Sequence, residues 1–571
     1  MTFQSSLPEI DIIPEGENKD QSFLQQILHN RTPNKKVQEQ QEMLIEEQSP
    51  PIKRKLFQER KLYKGDSDIE EEVEEIKEMA KIKSDNRSVL PGYQVHKDYT
   101  VMLNLTDISY GVKGHNKFYQ IQVLKKDGDY FLFTKWGRTG AQNPQQEIKE
   151  SDLLTAIKGF EKKFRDKTHW DWRERNEFKQ QPGKYCIVDV IGGGGGSVNS
   201  EIEKLNQRNG RIAARIKNLQ SSLEPAIFDL MSEIWDIQRM NKTLKELNFD
   251  TDKNPLGRLS VDAIKKGFKI LNEIQQALRD CKYSLLVDLS NEFYTNIPQN
   301  YGMKLPPKID NYDILGQKNQ LLTMLQELEL ANRYINSTLT ENSDINPLDQ
   351  FYKLLKTNIK ECQDQDIISK IEHSINISHG PTHEKFKLQI SKVYEIERKN
   401  EKIRFFPFKS LENRKLLWHG SRITNFVGIL SEGLKIAPPE APSTGYMFGK
   451  GVYFADICSK SAGYCAANIE NPYGYVLLCE VALGNSYQIY KAKDHVRPPQ
   501  NYHSIHAVGR NHADPKTREK INNLDFESGK VIPNEELKIH NIESSLIYNE
   551  YVVYDVAQVQ IHYLIKLKFI F

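Results

Sequence analysis

The chain has 571 residues, with 79 Lys+Arg against 77 Asp+Glu and a formal net charge of +2. That length suggests roughly three to five folded units, and the charge balance excludes a uniformly basic nucleic-acid coat while leaving room for a local basic patch. The apolar fraction of 38% lies below the roughly 45–50% of globular chains, so part of the chain is expected to stay unpacked, and six cysteines without a Cys-x-x-Cys pair argue against a disulfide scaffold or zinc finger.

Residues 1–90 are rich in Gln, Glu, Asn, Lys and Ser and lack apolar periodicity, so a disordered tail is expected. Met1-Thr2-Phe3-Gln4 lacks the order of a signal peptide, and no apolar run approaches the roughly 18 residues of a membrane span. The basic run Lys53-Arg54-Lys55, with Arg60-Lys61, suits a nuclear import signal, a phosphate-binding arm or plain solvated charge; an acidic run from Glu70 to Glu78 follows. Residues 91–191 read as a small α+β module in which basic residues outnumber acidic ones. Tyr119, Ile121 and Val123 alternate as in a half-buried strand, Asp127-Gly128 marks a hairpin, and Leu153, Ile157, Phe160 and Phe164 recur at helical spacing. Cys186 to Ile191 followed by Gly192 to Gly196 imitates the start of a dinucleotide fold. Ser197 or Val198 stands where the third glycine belongs, and the next residues are too polar for a packed helix. Residues 192–212 therefore read as a flexible linker.

Residues 213–340 read as an all-α bundle. Leu223, Ile227, Leu230, Ile234 and Trp235 form one stripe, and Val261, Ile264, Phe268, Leu271 and Ile274 a second, with Ser260 as N-cap. Leu285, Leu289 and Phe293, then Leu321, Leu325, Leu328 and Ala331, continue the pattern. From 345 to 571 short strands alternate with Gly/Pro-rich loops, as in a mixed α/β-sheet domain. Tyr475 to Val481 is a buried strand. In the last stretch Ile561, Tyr563, Ile565, Leu567 and Phe569 face one way, and His562, Lys566 and Lys568 the other, the lysines suiting a sheet edge. The fold class is thus multidomain α+β: tail, small α+β module, helical bundle, mixed sheet domain.

Three segments of the last region hold chemistry-bearing residues. Leu416-Leu417-Trp418-His419-Gly420-Ser421-Arg422 ends an apolar strand in His-Gly-Ser, where glycine admits a ligand to the backbone and His and Ser offer hydrogen bonds. Taken alone, a strand-end His is more often structural. Tyr446 to Asp456, leading to Ser459-Lys460-Ser461 and Tyr464, gathers glycines, aromatics and hydroxyls able to sandwich a flat ring, or else a Tyr/Phe core with a glycine turn. Leu546 to Asp555 is a strand with Glu550 inside it. A carboxylate there must meet a partner or solvent. His503, His506 and His512, with Cys458 and Cys465, match no zinc spacing, so no metal is expected.

In order and wording these segments resemble the catalytic domain of the poly(ADP-ribose) polymerases, with Ala437-Pro438-Pro439-Glu440-Ala441-Pro442 inside the close stretch. Upstream, Leu256-Gly257-Arg258-Leu259-Ser260 and Phe293-Tyr294 resemble the family's helical regulatory domain, and Trp136-Gly137-Arg138 the signature of its WGR domain. The resemblance implies NAD as consumed substrate. Gly420 would meet the nicotinamide amide, Ser461 would add a hydroxyl, Tyr464 would stack on the ring and Tyr453 would wall the pocket. His419 and Ser421 would hold the adenosine ribose. Asn425, Gly428, Lys435, Tyr446, Phe454 and Ala455 would complete the NAD site. Glu550 would bind the nicotinamide ribose, stabilise the cation and activate the acceptor, with Lys460 assisting. Trp136, Gly137 and Arg138 would bind DNA strand breaks, and the helical domain would shield the NAD site until they do. The implied partners are DNA breaks and acceptor proteins including the chain itself; family members also use an accessory factor that completes the acceptor site, and its use by this chain stays open. The implied location is the nucleus.

Departures from the family pattern are Lys435 where relatives often carry Arg, the insertion-like stretch Arg518 to Glu536, and an end at Phe571, short of animal relatives. Two other readings compete: a DNA-end-binding scaffold with a silent transferase, and a mono-transferase. The His419–Tyr453–Glu550 set argues against both.

Overall fold

In the computed structural model the described residues are 90–571 without 91, 112–113, 140, 142, 189–209, 248, 250–258, 303, 339–343, 444–445 and 492–497. The expected tail with its charge runs, the glycine run, most of the expected linker, and Leu256 to Arg258 lie outside the described residues.

The first module is an antiparallel sheet of β1 (Gln94–Asp107), β2 (His115–Lys126), β3 (Asp129–Arg138), β4 (Gln145–Ser151) and β5 (Cys186–Ile187), ordered β4-β3-β2-β1-β5. Asp127 and Gly128 turn β2 into β3 with φ of 51° and 103°, the two left-handed residues that a tight hairpin needs. Helix α1 (Leu153–Thr168) starts on Asp152, whose carboxylate accepts from Thr155 N, and buries Phe160 and Phe164 against the sheet. The expectation of a half-buried β2 is corrected. Phe118, Gln120 and Gln122 are as buried as Tyr119, Ile121 and Val123, because the second face of the sheet meets helices rather than water. Met102 and Phe118 join the core of the helical module.

That module holds α2 (Pro225–Ile234), α3 (Ile237–Glu246), α4 (Val261–Arg279), α5 (Leu286–Asn296) and α6 (Tyr312–Thr338). Residues 210–218 are already helical with Ile212 buried, so the end of the expected linker is packed. Ser260 caps α4 by accepting from Ala263 N at 3.0 Å. Leu285 is exposed; Leu286 and Phe293 carry the buried stripe in its place. Helix α2 packs its Ile227 and Leu230 into the core of the next domain.

The last domain runs α7 (Pro347–Leu354), β6 (Thr357–Glu361), α8 (Gln365–Ile377), β7 (Lys387–Arg398), α9 (Glu401–Phe405), β8 (Arg414–Ser421), α10 (Phe426–Glu432), β9 (Val452–Phe454) and α11 (Cys458–Ala462). It continues with β10 (Tyr473–Ala482), β11 (Ser486–Ile489), β12 (Ser504–Ala507), β13 (Asn511–Ala513), β14 (Glu519–Ile521), β15 (Leu524–Phe526), β16 (Val531–Pro533), α12 (Glu535–Ile539), β17 (Glu550–Val553) and β18 (Val559–Ile570). Seven strands form one mixed sheet, β14-β15-β8-β10-β18-β7-β6, and four a second, β11-β12-β17-β9. Strand β10 is buried along nearly its whole length between β8 and β18, as its apolar run demands. Strand β18 is internal, between β10 and β7, so the edge role expected of its lysines is corrected. Lys566 instead pairs with Glu233 of α2, which also accepts from the Tyr475 hydroxyl at 2.8 Å. No described helix is long and apolar enough to cross a membrane.

Candidate active site

Strand pairing explains how three distant segments meet. The end of β8 is tied to the end of β9 by reciprocal backbone bonds between Trp418 and Ala455, at 2.9 and 3.0 Å. Strand β9 then pairs with β17, Tyr453 opposite Val552 and Phe454 opposite Tyr551. One ladder corner therefore brings together His419, Tyr453 and Glu550, which come from three separate segments of the sequence.

His419 Nδ1 donates to the Tyr453 carbonyl at 2.8 Å. In the neutral ring this leaves Nε2 as an acceptor. Burial holds the imidazole below its ordinary pKa, against the opposing pull of that hydrogen bond. The Phe454 ring stands 5.7 Å from the imidazole. Tyr453 itself is pinned at its hydroxyl, which accepts from Phe448 N at 3.0 Å and donates to Gly449 O at 2.7 Å. Burial raises its phenol pKa, so it stays neutral. The Tyr446 ring lies 5.8 Å away across it.

Gly420 is required by packing. A Cβ there would fall 1.8 Å from Ser461 O. The Ser461 hydroxyl donates to Trp418 O at 2.9 Å, fixing α11 against β8. Ser421 accepts from Asn425 Nδ2 at 2.9 Å. Tyr464, just beyond α11, is 64% exposed and available for stacking.

Glu550 opens β17 with its side chain largely buried, and its carboxylate is not left alone: Lys460 Nζ lies 2.9 Å from Oε1. The same ammonium donates to Tyr548 O and Asn549 O, both at 3.0 Å. The sequence expectation that Glu550 must meet a partner is met by the lysine of α11.

Two expected site residues sit apart, under the helical module. Lys435 pairs with Glu432 at the end of α10. Gly428, within α10, faces Glu327 of α6: a Cβ on Gly428 would lie 2.3 Å from Glu327 Oε2. That oxygen is buried without a hydrogen-bond partner among the described residues, and burial raises the Glu327 carboxyl to about 7.

In the first module, Trp136, Gly137 and Arg138 end β3 and line a cavity of about 190 Å³ together with His115, Lys117 and Tyr185. Trp136 stacks on Tyr119 at 5.7 Å, Lys117 lies over Tyr185 at 5.7 Å, and Lys167 over Tyr119 at 4.5 Å. Burial and the charge of Lys167 lower the Lys117 pKa. A bound anion would oppose both by favouring the charged ammonium.

Family models match three consecutive segments: the WGR domain at residues 99–179, the poly(ADP-ribose) polymerase regulatory domain at 221–352, and the poly(ADP-ribose) polymerase catalytic domain at 366–569. Poly(ADP-ribose) polymerase 2 of Homo sapiens is 36% identical over 480 residues, 83% of this chain and 80% of the human protein. The chain belongs to the poly(ADP-ribose) polymerase family. Poly(ADP-ribose) polymerase 1 of Danio rerio is 39% identical over 484 residues, and that of Arabidopsis thaliana 37% over 489. The chain spans about half the length of these two, 45% and 47%.

Within this family fold, sequence reasoning missed Lys117, His115 and Tyr185 around the WGR tryptophan, because no local pattern links β2 to residue 185. It also missed Glu327. Its signal was faint: one of several carboxylates on α6, beside the expected stripe residue Leu328.

Proposed function

We propose that the chain is a DNA-break-stimulated protein poly-ADP-ribosyltransferase that consumes NAD. The observation that carries the reading is the joining of His419, Tyr453 and Glu550 at one ladder corner, with Gly420 stripped of a side chain beside them. In this reading the flat nicotinamide lies against Tyr464, its amide meets the Gly420 backbone and the Ser461 hydroxyl, and Tyr453 closes the wall. His419 Nε2 and Ser421 hold the adenosine ribose, and Asn425, Tyr446, Phe454 and Ala455 line the remainder, with Gly428 and Lys435 at the pyrophosphate end. The bond from ribose C1′ to nicotinamide breaks, and its electron pair leaves with nicotinamide. The carboxylate of Glu550 offsets the positive charge left on the sugar. An acceptor oxygen then bonds to C1′ and passes its proton to Glu550. Lys460 orients that carboxylate.

The WGR cavity would take a phosphate at a DNA break through Lys117 and Arg138, with Trp136 against a sugar. Such contacts position a protein without reading sequence. Residues 91–191, 213–340 and 345–571 would be the DNA-binding, regulatory and catalytic domains, the regulatory one shielding the NAD site until DNA binds. Acceptors would include the chain itself, and the setting would be nuclear DNA repair.

Labelled NAD, with and without nicked DNA, tests the reading. DNA should raise label incorporation and yield long polymer, and Glu550→Gln should abolish long polymer while keeping NAD binding. No transfer in either condition, or wild-type polymer from Glu550→Gln, would sink it.

A further inference from the structure

The residue before Glu550 carries a primary amide where the strand is otherwise apolar. Asn549 is 4% exposed, and Tyr551, Val552 and Val553 after it are equally buried. A buried amide must find partners for both its ends. Asn549 Nδ2 donates to Asp456 Oδ2 at 2.6 Å, with the Tyr551 hydroxyl at 3.4 Å, and its Oδ1 accepts from Gly509 N at 2.8 Å. The amide can face only this way, because a carboxylate accepts and a backbone N–H donates.

Asp456 lies just beyond β9 and Gly509 just beyond β12, and Asn549 immediately precedes β17. One side chain therefore ties three strands of the four-stranded sheet together at the position next to Glu550. The approach is close: a Cβ on Gly509 would fall 2.3 Å from Tyr548 C and 2.5 Å from Asn549 N. From the other side Lys460 holds the 548 and 549 carbonyls. The lysine fixes where this peptide sits; the Asn549 side chain stops it from twisting. Asp456 is 3% exposed, and among the described residues its Oδ1 has no hydrogen-bond partner, so the bond from Asn549 is the hydrogen bond its side chain makes there.

We propose that Asp456 and Asn549 form a positioning pair that aims the Glu550 carboxylate at the sugar carbon from which nicotinamide departs. The pair deepens the function proposed above and rests on it. A carboxylate lowers the barrier only when it is already in place, and misplacement by roughly 1 Å costs on the order of a hundredfold in rate. The charged and titratable groups around the pair are Glu527 beyond β15, Lys415 of β8, Lys460 of α11, Tyr551 of β17, and His506 of β12, which stacks on the Tyr551 ring at 4.5 Å and interacts with the Asn549 side chain. Burial and Glu527 raise the Asp456 carboxyl; Asn549 and the two lysines oppose them.

The test is a polarity swap in the full-length chain. Asn549→Asp sets two buried carboxylates against each other, and one of them must keep a proton. Its kcat for ADP-ribose transfer is expected to fall about tenfold or more with KM for NAD nearly unchanged, and the loss should deepen from about pH 6.5 to 8.5 as that proton leaves. Asp456→Asn keeps an acceptor oxygen and should act mildly. The Asp456→Asn/Asn549→Asp double variant reverses donor and acceptor while still accepting from Gly509 N, so it should recover kcat to within about threefold and regain the wild-type pH profile. Thermal melting of each variant separates unfolding from misalignment. Should Asn549→Asp fail to fold, a double variant that folds yet stays inactive overturns the pair. So does wild-type turnover and pH profile in Asn549→Asp. A wild type that transfers nothing from NAD overturns the proposed function and the pair together, whereas an active wild type with an indifferent Asn549→Asp overturns the pair alone.

Discussion

Every proton of the Lys460 ammonium is engaged, by Glu550 Oε1 and by two consecutive carbonyls. Such a lysine orients rather than shuttles. Lys460→Ala would leave the buried Glu550 carboxylate unpaired and its strand untethered; kcat should drop on the order of a hundredfold with a small change in KM. Lys460→Arg should not restore it, since a planar fork cannot aim three donors at three converging oxygens. Steady-state kinetics on both variants decide this, and full activity in the arginine variant would defeat the argument. Gly420 gives a second prediction at this scale. Gly420→Ala drives a methyl into the Ser461 carbonyl and should remove NAD binding outright, with calorimetry showing no heat where the wild type binds. Gly420 and Glu550 were legible in the sequence because glycine at a strand end and a carboxylate within a strand are each odd locally. Asp456 was not, because its partner is 93 residues away and an aspartate after a short strand looks ordinary.

At the scale of elements, helix α6 presses the Glu327 carboxyl onto Gly428 of α10, which makes its docking sensitive to pH. Glu327 titrates near 7 in the packed state because burial disfavours its charge, Glu432 adds to this and Lys435 opposes it. Its folded pKa lies above its unfolded value. The docking of α6 is therefore fully stable below the ordinary glutamate range and weakens as pH rises through about 7, by roughly 3 kcal/mol in total. If α6 shields the NAD site, DNA-free activity divided by DNA-saturated activity should climb about tenfold or more between about pH 5.5 and 8.5. Glu327→Gln should hold that ratio low and flat. A wild-type ratio independent of pH, or an equal climb in the glutamine variant, would rule this pH sensitivity out. The helix itself was legible from its leucine spacing; the docked carboxyl was not, because periodicity says which face is buried and nothing about what it is buried against.

At the scale of the whole molecule, buried polar contacts run from the end of the WGR tryptophan strand to α5 and α6 of the helical module. Thr139, next to Arg138, donates to Asn104 Oδ1 at 3.2 Å, and Asn104 Nδ2 donates to Tyr294 O and Thr295 O of α5 at 3.2 and 3.1 Å. In parallel, Asn116 Nδ2 reaches Gln299 O at 3.1 Å, and Gln299 Oε1 accepts from Lys318 of α6 at 2.8 Å. Lys318 is 4% exposed with its pKa lowered to about 8 by burial, and Glu327 lies further along the same helix. The order of modules was legible in the sequence. These joints were not: Asn116 leads into the strand expected to be half-buried, with its polar positions facing water, and the strand that carries Asn104 was not read from the sequence at all. Polar groups at a buried joint cost more to break than apolar ones, which suits a contact with two discrete states. Asn104→Ala leaves two α5 carbonyls unpaired and cuts the first route. Under the proposed function, DNA stimulation should fall about tenfold while DNA affinity changes by less than about threefold. Coupling is reciprocal, so in the wild type a non-hydrolysable NAD analogue should tighten DNA binding by the factor with which DNA tightens the analogue, and in Asn104→Ala both factors should shrink together. Fluorescence anisotropy on labelled nicked DNA, with and without the analogue, measures one side and calorimetry the other. If Asn104→Ala kept full stimulation, the signal would have to pass through Asn116 and Gln299 alone.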